Sequence, residues 1–515
     1  MWWPSPRKAN VQDTSSTHLF ITNVRLAYPD RELAEKLWIV ECLQGKVAHV
    51  IPYEHAHSLP LHKYEIDGKG SILLPSCTHS HIHLDKCFIL DRCGDLITGD
   101  FKEAMKLTGA AKAAFPLDTE DLTRRGRKLI HESVDCGVTS MRAHVEIDEL
   151  VGFSGLDVAL HLREEAKSAC YVQIAAFAQE ALFSDARDTD PGPNFDLLRE
   201  ATRREGVEVV GSAPYVEPTL EQAKKNIALI MELATRMRMH VDFHLDYNLD
   251  PTSEPLIFEV IKQAKRYCQS WLSEDRPELF TRRITIGHAT RLQLFTQEEW
   301  RELRDAIGDL PITFVGLPNS DMYMQGREHT NNPLGPPRST LRVPYIAGNH
   351  GIDIAMSVNN IENAFTPQGS VDPLALCAFG AAVFQSATKK DIHTLMKSVT
   401  ITSKLAIGLE RPPLELYPQE GDLADFVILH GTKTLQQAVL NPAYDRTTIR
   451  YGRIVARRRA KKWSVLKDEI PAVTHIRWWW YVLFPISWPS LFYKWISAQH
   501  ATVWRPEDAE FSREY

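Results

Sequence analysis

Apolar and polar positions follow two different rhythms along this chain. From His18 to Glu65 the apolar residues come in short runs rich in β-branched side chains: LFITNVRLAY, LWIVECLQGKVAHVI and KYEIDGKG. Alternation of this kind predicts strands, and the glycine inside LQGKVAHVI marks a hairpin turn. From Ile72 the rhythm changes, and short apolar runs alternate with longer segments of helical period. Eight runs stand out, at 72–75, 138–145, 171–177, 207–214, 240–245, 284–288, 312–315 and 353–358. Helices are predicted between them, for instance over 121–135, 156–167, 220–238, 255–272 and 297–306. Strand–helix repeated eight times over about 300 residues predicts an α/β chain folded as a (β/α)8 TIM barrel. An open doubly wound sheet is the alternative, although no GxGxxG follows an early strand to support a dinucleotide site.

After residue 421 the strand rhythm returns in LADFVILHG and TTIRYGRIVAR. The economical arrangement pairs the two flanking segments into one small β-sandwich domain split by the barrel. The expected organisation is an N-terminal stretch 1–17, a split β-domain 18–71 plus 410–457, a barrel 72–409 and a basic, aromatic-rich tail 458–515.

Composition adds exclusions more than assignments. The 515 residues are 44% hydrophobic and 24% charged, which excludes wholesale disorder. The formal charge of −7 gives no reason to expect nucleic acid as a partner. Eight scattered cysteines without a CxxC pair read as free thiols of a reducing compartment. The opening residues carry no apolar core of a secretory signal, so the expected location is cytoplasmic. The tail holds RRRAKK at 457–462 and an aromatic stretch between Trp478 and Trp495, broken by Pro485 and Pro489. It reads three ways: packed on the protein or in a homo-oligomer contact, lying in a membrane interface as a peripheral anchor, or spanning a membrane.

The chemistry-bearing residues gather where the strands are expected to end. LPSCTHSHIHLDK holds His81 and His83, two residues apart and so on one face of an extended strand. Later runs end in His144, Glu146 and Asp148; in Gln179 and Glu180; in His244, Asp246 and Tyr247; in His288; and in Asn359, Asn360 and Glu362. Each histidine alone reads as an ordinary buried one. Five at the C-terminal ends of barrel strands, where such barrels keep their active sites, point to a metal centre.

The motifs HIHLDK, RAHVEID, AAFAQEA, GHAT, MYMQGR and NAFTPQG, in this order, resemble the amidohydrolase superfamily and within it the cytosine deaminase-like branch. The resemblance covers most of the chain. It implies one divalent metal, zinc or iron, held by His81, His83 and His244 with the strand-eight position Asn359. Such a metal lowers the pKa of bound water towards 7 and so supplies hydroxide for attack on a ring amidine or amide. It further implies His288 as the strand-six catalytic histidine and a small heterocyclic substrate held by Gln179, with His144 beside it.

Two positions depart from the family pattern. Tyr247 stands where a glutamate is expected, and Asn359 where an aspartate is expected. Asparagine adds no charge to a metal, and a tyrosine with a pKa near 10 is a poor base at neutral pH. Asp246, next to Tyr247, is the nearest stand-in if it lies in a loop beyond the strand. The function expected is therefore a metal-dependent hydrolase of a cyclic C–N bond with an altered proton shuttle. The alternative is a catalytically degenerate barrel that binds a heterocycle.

Overall fold

The computed structural model describes residues 18–54, 64–274, 282–327, 337–409, 412–461 and 463. The tail between Trp478 and Trp495 lies outside the described residues, and so do residues 1–17. Among the described residues no helix is long and apolar enough to cross a membrane.

Met1–Ala460 form one compact unit with two sheets. The first comprises β1 (His18–Leu26), β2 (Trp38–Leu43), β3 (Lys46–Pro52) and β4 (Glu65–Pro75), then, after the barrel, β13 (Phe426–Leu429), β14 (Arg446–Arg450) and β15 (Arg453–Arg458). Their spatial order is β15-β14-β13-β4-β1-β2-β3. The two segments that flank the barrel meet where β13 runs antiparallel to β4, Phe426 opposite Pro75 and Leu429 opposite Ile72. This sheet carries its own apolar core, including Leu19, Ile21, Trp38, Val40, Leu73, Phe426 and Ile449.

The second sheet is a nearly closed parallel barrel of β5 (Cys77–His83), β6 (Val138–Glu146), β7 (Tyr171–Ala178), β8 (Val207–Ser212), β9 (His240–Leu245), β10 (Ile284–His288), β11 (Ile312–Gly316) and β12 (Ile354–Met356), in sequential order. The TIM barrel with a separate β-sheet domain is thus present. One strand differs from the sequence reading. The apolar run 72–75 is the end of β4, and the first barrel strand is the histidine segment itself. All seven residues of CTHSHIH are buried, although the segment has almost no apolar side chains. Only part of its polar complement is matched: Thr78 Oγ1 pairs with Ser140 Oγ at 2.7 Å and His79 Nε2 with Ser133 Oγ at 3.2 Å, and Ser76 Oγ, just before the strand, with Thr139 Oγ1 at 2.6 Å.

The barrel closes between its first and last strands through the residues of interest. His83 N donates to Asn359 O at 2.8 Å and Asn359 N to His81 O at 3.1 Å. Ser357 Oγ donates to His81 O at 2.6 Å and accepts from His81 N at 3.0 Å.

Helices run over Thr119–Asp135, Ser154–Ala166, Leu220–Met237, Ile257–Glu274 and Gln297–Ile307, close to the predicted segments. A further helix, Phe101–Lys112, follows β5 and is capped by Asp100. It packs into a satellite apolar cluster with Ile89, Phe115, Phe365 and Tyr247, and this cluster borders the C-terminal mouth of the barrel.

Candidate active site

β5 places His81 and His83 on its inner face, β6 adds His144, and β9 adds Asp242 and His244, again two residues apart. The rings of His81 and His144 stack with centroids 4.0 Å apart, and His244 lies 4.4 Å from His81. Room for the His81 ring comes from β10. A Cβ at Gly287 would sit 3.0–3.1 Å from that ring, closer than side chains pack, so the glycine of GHAT has a steric role.

Donor atoms of His81, His144, Asp242 and His244 all lie within 4.8 Å of one another, and all four residues are buried. Ligands held about 2.0–2.2 Å from one ion stand up to roughly 4 Å apart, so the cluster needs only small shifts to share one. Both ring nitrogens of His81, Nε2 of His244, Nδ1 of His83, and Oδ1 of Asn359 and Asp242 are buried without a hydrogen-bond partner among the described residues. Buried polar atoms are ordinarily paired, so this convergence of orphaned nitrogens and oxygens fits a divalent cation. Burial holds His81, His83 and His244 well below the usual imidazole pKa, in the neutral form that binds metals.

Burial alone would raise the Asp242 carboxyl, but His144, His81 and Arg142 outweigh it and keep the group well below the ordinary carboxylate range. Its Oδ2 accepts from Arg142 Nη1 at 2.9 Å and Thr285 Oγ1 at 2.6 Å. Its Oδ1 faces the histidines, 3.2 Å from His144 Nε2 and 3.8 Å from His81 Nδ1.

Toward the mouth, a small cavity is walled by His83, His244, His288, Asn359, Gln179 and Lys86, with Phe101, Tyr215, Tyr247 and Phe365 as aromatic sides. Of the residues singled out in the sequence, His81 and His144 thus lie beneath the cavity, and His83, Gln179, His244, Tyr247, His288 and Asn359 line it. Asp246 is turned away. Its carboxylate accepts from the backbone N–H of Leu256 and Ile257 at 2.7 and 3.1 Å, at the start of the following helix, and burial pushes its pKa up to about 7. Tyr247 lies against His288, ring centroids 3.8 Å apart, and burial drives its hydroxyl well above its usual pKa. Glu146 is held by Lys86 Nζ at 2.6 Å and by Lys112; burial would raise its pKa, but these lysines bring it down to about 2.

Three strand ends here adopt left-handed backbone: Asp246 (φ 49°), His288 (φ 66°) and Asn359 (φ 66°). Non-glycine residues in this region are uncommon and concentrate at functional sites.

Two residues escaped the sequence reading. Asp242 was signalled by its place two residues before His244, on the same face of one strand. Asp321, just ahead of MYMQGR, carried no such signal. It lies on the helix Pro318–Met324, and its Oδ1 meets His288 Nδ1 at 2.7 Å.

No family model matches the chain. Among curated proteins, the N-isopropylammelide isopropyl amidohydrolase of Pseudomonas sp. (strain ADP) is 21% identical over 397 residues, 77% of this chain and 88% of that protein. The pterin deaminase of Rhizobium rhizogenes (strain K84) is 22% identical over 454 residues, 88% of this chain and 95% of that protein. Among solved structures, the 5-methylcytosine deaminase of Klebsiella pneumoniae liganded with 5-fluorocytosine shares the fold. Its TM-score is 0.72 at 22% identity, covering 87% of this chain and 99% of that one. The N-isopropylammelide isopropylaminohydrolase of Burkholderia multivorans gives a TM-score of 0.65 at 21% identity, covering 86% of this chain and 99% of that one. The relatives and structural neighbours of this chain are therefore amidohydrolase-type deaminases, hydrolases of C–N bonds, in agreement with its resemblance to the cytosine deaminase-like amidohydrolases.

Proposed function

We propose that this protein is a metal-dependent hydrolase that cleaves a C–N bond in, or on, a small planar heterocycle with amidine or amide character. The observation that carries the reading is the convergence of neutral, unpartnered histidine nitrogens at the C-terminal mouth of the barrel. The nitrogen donors would be His81 and His244, both in the four-residue cluster, and His83, which lies outside it but carries a buried, unpartnered Nδ1. An oxygen would come from Asn359 Oδ1 or from Asp242 Oδ1. Bound there, zinc or iron would supply Lewis acidity and activate water at neutral pH.

The remaining side chains suit a flat polar ring. Phe101, Tyr215 and Tyr247 offer π-faces for stacking. Gln179, whose Nε2 is only 3.5 Å from Tyr215 Oη, keeps its amide oxygen for an N–H on the ring edge. Asn360, Ser320 and Lys86 add polar contacts around the same cavity.

The test is metal content and product release. Purified protein should contain near-stoichiometric zinc or iron, lost in His81→Ala, and should release ammonia or amine from at least one of cytosine, 5-methylcytosine, pterin or N-isopropylammelide. Protein that holds no metal and refuses added zinc would sink the proposal. A second reading, a barrel that binds a heterocycle without turnover, is favoured by Tyr247 and Asn359. On that reading the Tyr247→Glu/Asn359→Asp double variant gains turnover that the natural chain lacks.

A further inference from the structure

The cavity lacks carboxylates at 247 and 359, yet one carboxylate reaches its wall from another element. Asp321 is fully buried on the short helix after β11. Its Oδ1 lies 2.7 Å from His288 Nδ1, its Oδ2 accepts from Thr340 Oγ1 at 2.6 Å, and its own N–H donates to Leu317 O at 3.0 Å. The carboxylate is therefore held on both oxygens and by its backbone. His288 is held on three sides: by Asp321 at Nδ1, by the Tyr247 ring at 3.8 Å, and by the left-handed backbone that ends β10. Burial raises the Asp321 carboxyl above its ordinary value, against the hydrogen bonds of His288 and Thr340 that favour the ion; as a carboxylate it only accepts hydrogen bonds, so Nδ1 would carry the hydrogen and Nε2 would keep its lone pair. His288 also lines the cavity.

The other acidic groups nearby are engaged elsewhere. Glu146 is bound by two lysines, and Asp246 faces the start of the helix Ile257–Glu274. His288 alone among these groups combines a fixed orientation with a face on the cavity.

We propose that Asp321 is a positioning residue that makes His288 the proton carrier of this site, in place of the glutamate expected at 247. The inference rests on the hydrolase reading above. As the water oxygen bonds to the ring carbon, the O–H bond breaks and its proton passes to His288 Nε2. As the C–N bond breaks, that proton moves to the departing nitrogen, which leaves as ammonia or amine. One water is consumed, and His288 returns to its starting neutral form with the hydrogen on Nδ1. The Asp321 carboxylate stabilises the transient imidazolium without itself taking the proton, as in other Asp–His pairs.

The experiment uses the full chain, labelled with 15N-histidine, and reads the His288 tautomer from its two ring-nitrogen shifts, assigned by their loss in His288→Gln. The expected native form carries hydrogen on Nδ1. Asp321→Asn should shift it to the Nε2–H form, because an asparagine amide can donate to Nδ1. Asp321→Glu should restore the native signature at least in part. With whichever of cytosine, 5-methylcytosine, pterin or N-isopropylammelide is turned over, Asp321→Asn should lower kcat about 10²–10⁴-fold, with KM changed less than about threefold and metal content unchanged. A native Nε2–H tautomer overturns the proposal, and so does an Asp321→Asn variant with unaltered kcat or one whose loss merely follows loss of metal. A native Nδ1–H tautomer in a protein that turns over none of the probes counts instead against the hydrolase reading, and removes the proton-carrier role with it.

Discussion

Asn359 occupies a left-handed position that asparagine tolerates better than most side chains, and its Nδ2 donates to Ser320 Oγ at 2.8 Å. The carbonyl is left over on the cavity wall, where its Oδ1 is buried without a partner among the described residues. Asn359→Asp would put a full charge in that place. If this oxygen faces the ion, chelator competition should show metal affinity rising roughly tenfold or more, since a unit charge at about 4 Å is worth on the order of 1–4 kcal/mol in polar surroundings. Unchanged affinity would give the oxygen role to Asp242. A second residue-scale consequence lies far from the site. Lys404 is buried on the helix Ile401–Ala406, where Nζ donates to Ser76 O, and burial pushes its pKa from 10.5 down to about 8. Between these two values the unfolded chain holds a proton that the folded chain has released, so folding stability rises with pH by about 1.4 kcal/mol per unit. Below about 8 both states are protonated and this contribution is flat. In urea titrations from pH 8 to 10, Lys404→Met should lack this rise.

At the scale of elements, β10 shows how one strand shapes its neighbour's ligand. Gly287→Ala would press on the His81 ring, and overpacking of this kind costs about 1–3 kcal/mol. The expected result is a modest loss of thermal stability with a larger loss of bound metal by elemental analysis. The converse, intact metal with lost stability, would show that His81 can move aside freely. The strands themselves illustrate what a sequence reveals. Seven of the eight barrel strands announce themselves as apolar runs, because their side chains pack against helices. β5 does not, because Cys77 and Ile82 are its only apolar side chains and His81 and His83 are turned to the site rather than to covering helices, and an apolar-run criterion passes over it to Ile72–Leu74. The helix Phe101–Lys112 was missed for the opposite reason. It covers the mouth with only part of its surface, and LTGAAKAAF has too weak a period to declare a face. His81, His83, His244 and His288 were legible because two-residue spacing and strand-end position are local facts. Asp321 was not, because its partner lies 33 residues away, and only the fold brings them together.

Across the whole molecule, Arg446 ties the split sheet to the barrel. Its guanidinium grips Asp372 with two hydrogen bonds at 2.7 and 2.6 Å and donates to Cys136 O at 2.8 Å. Asp372 in turn caps the helix Pro373–Val383 through Leu374 N. Removing one member of such a buried pair leaves the other uncompensated, at a cost of about 3–5 kcal/mol. Arg446→Met should therefore shift the urea midpoint strongly downward, and Arg446→Met/Asp372→Leu should recover part of the shift. If the single variant unfolds like the parent, the two layers are joined by apolar packing alone. The meeting of β4 with β13 has a consequence for how the protein is made. The partner strand emerges from the ribosome about 350 residues after Pro75, which at roughly 5–20 residues per second is about 20–70 seconds of synthesis. Throughout that interval Ile72, Leu73 and Leu74 present an uncovered apolar edge to the crowded surroundings of the nascent chain, the kind of edge that invites mispairing. The demand for chaperone protection should therefore fall on this one early strand and end abruptly when residue 429 is free to dock.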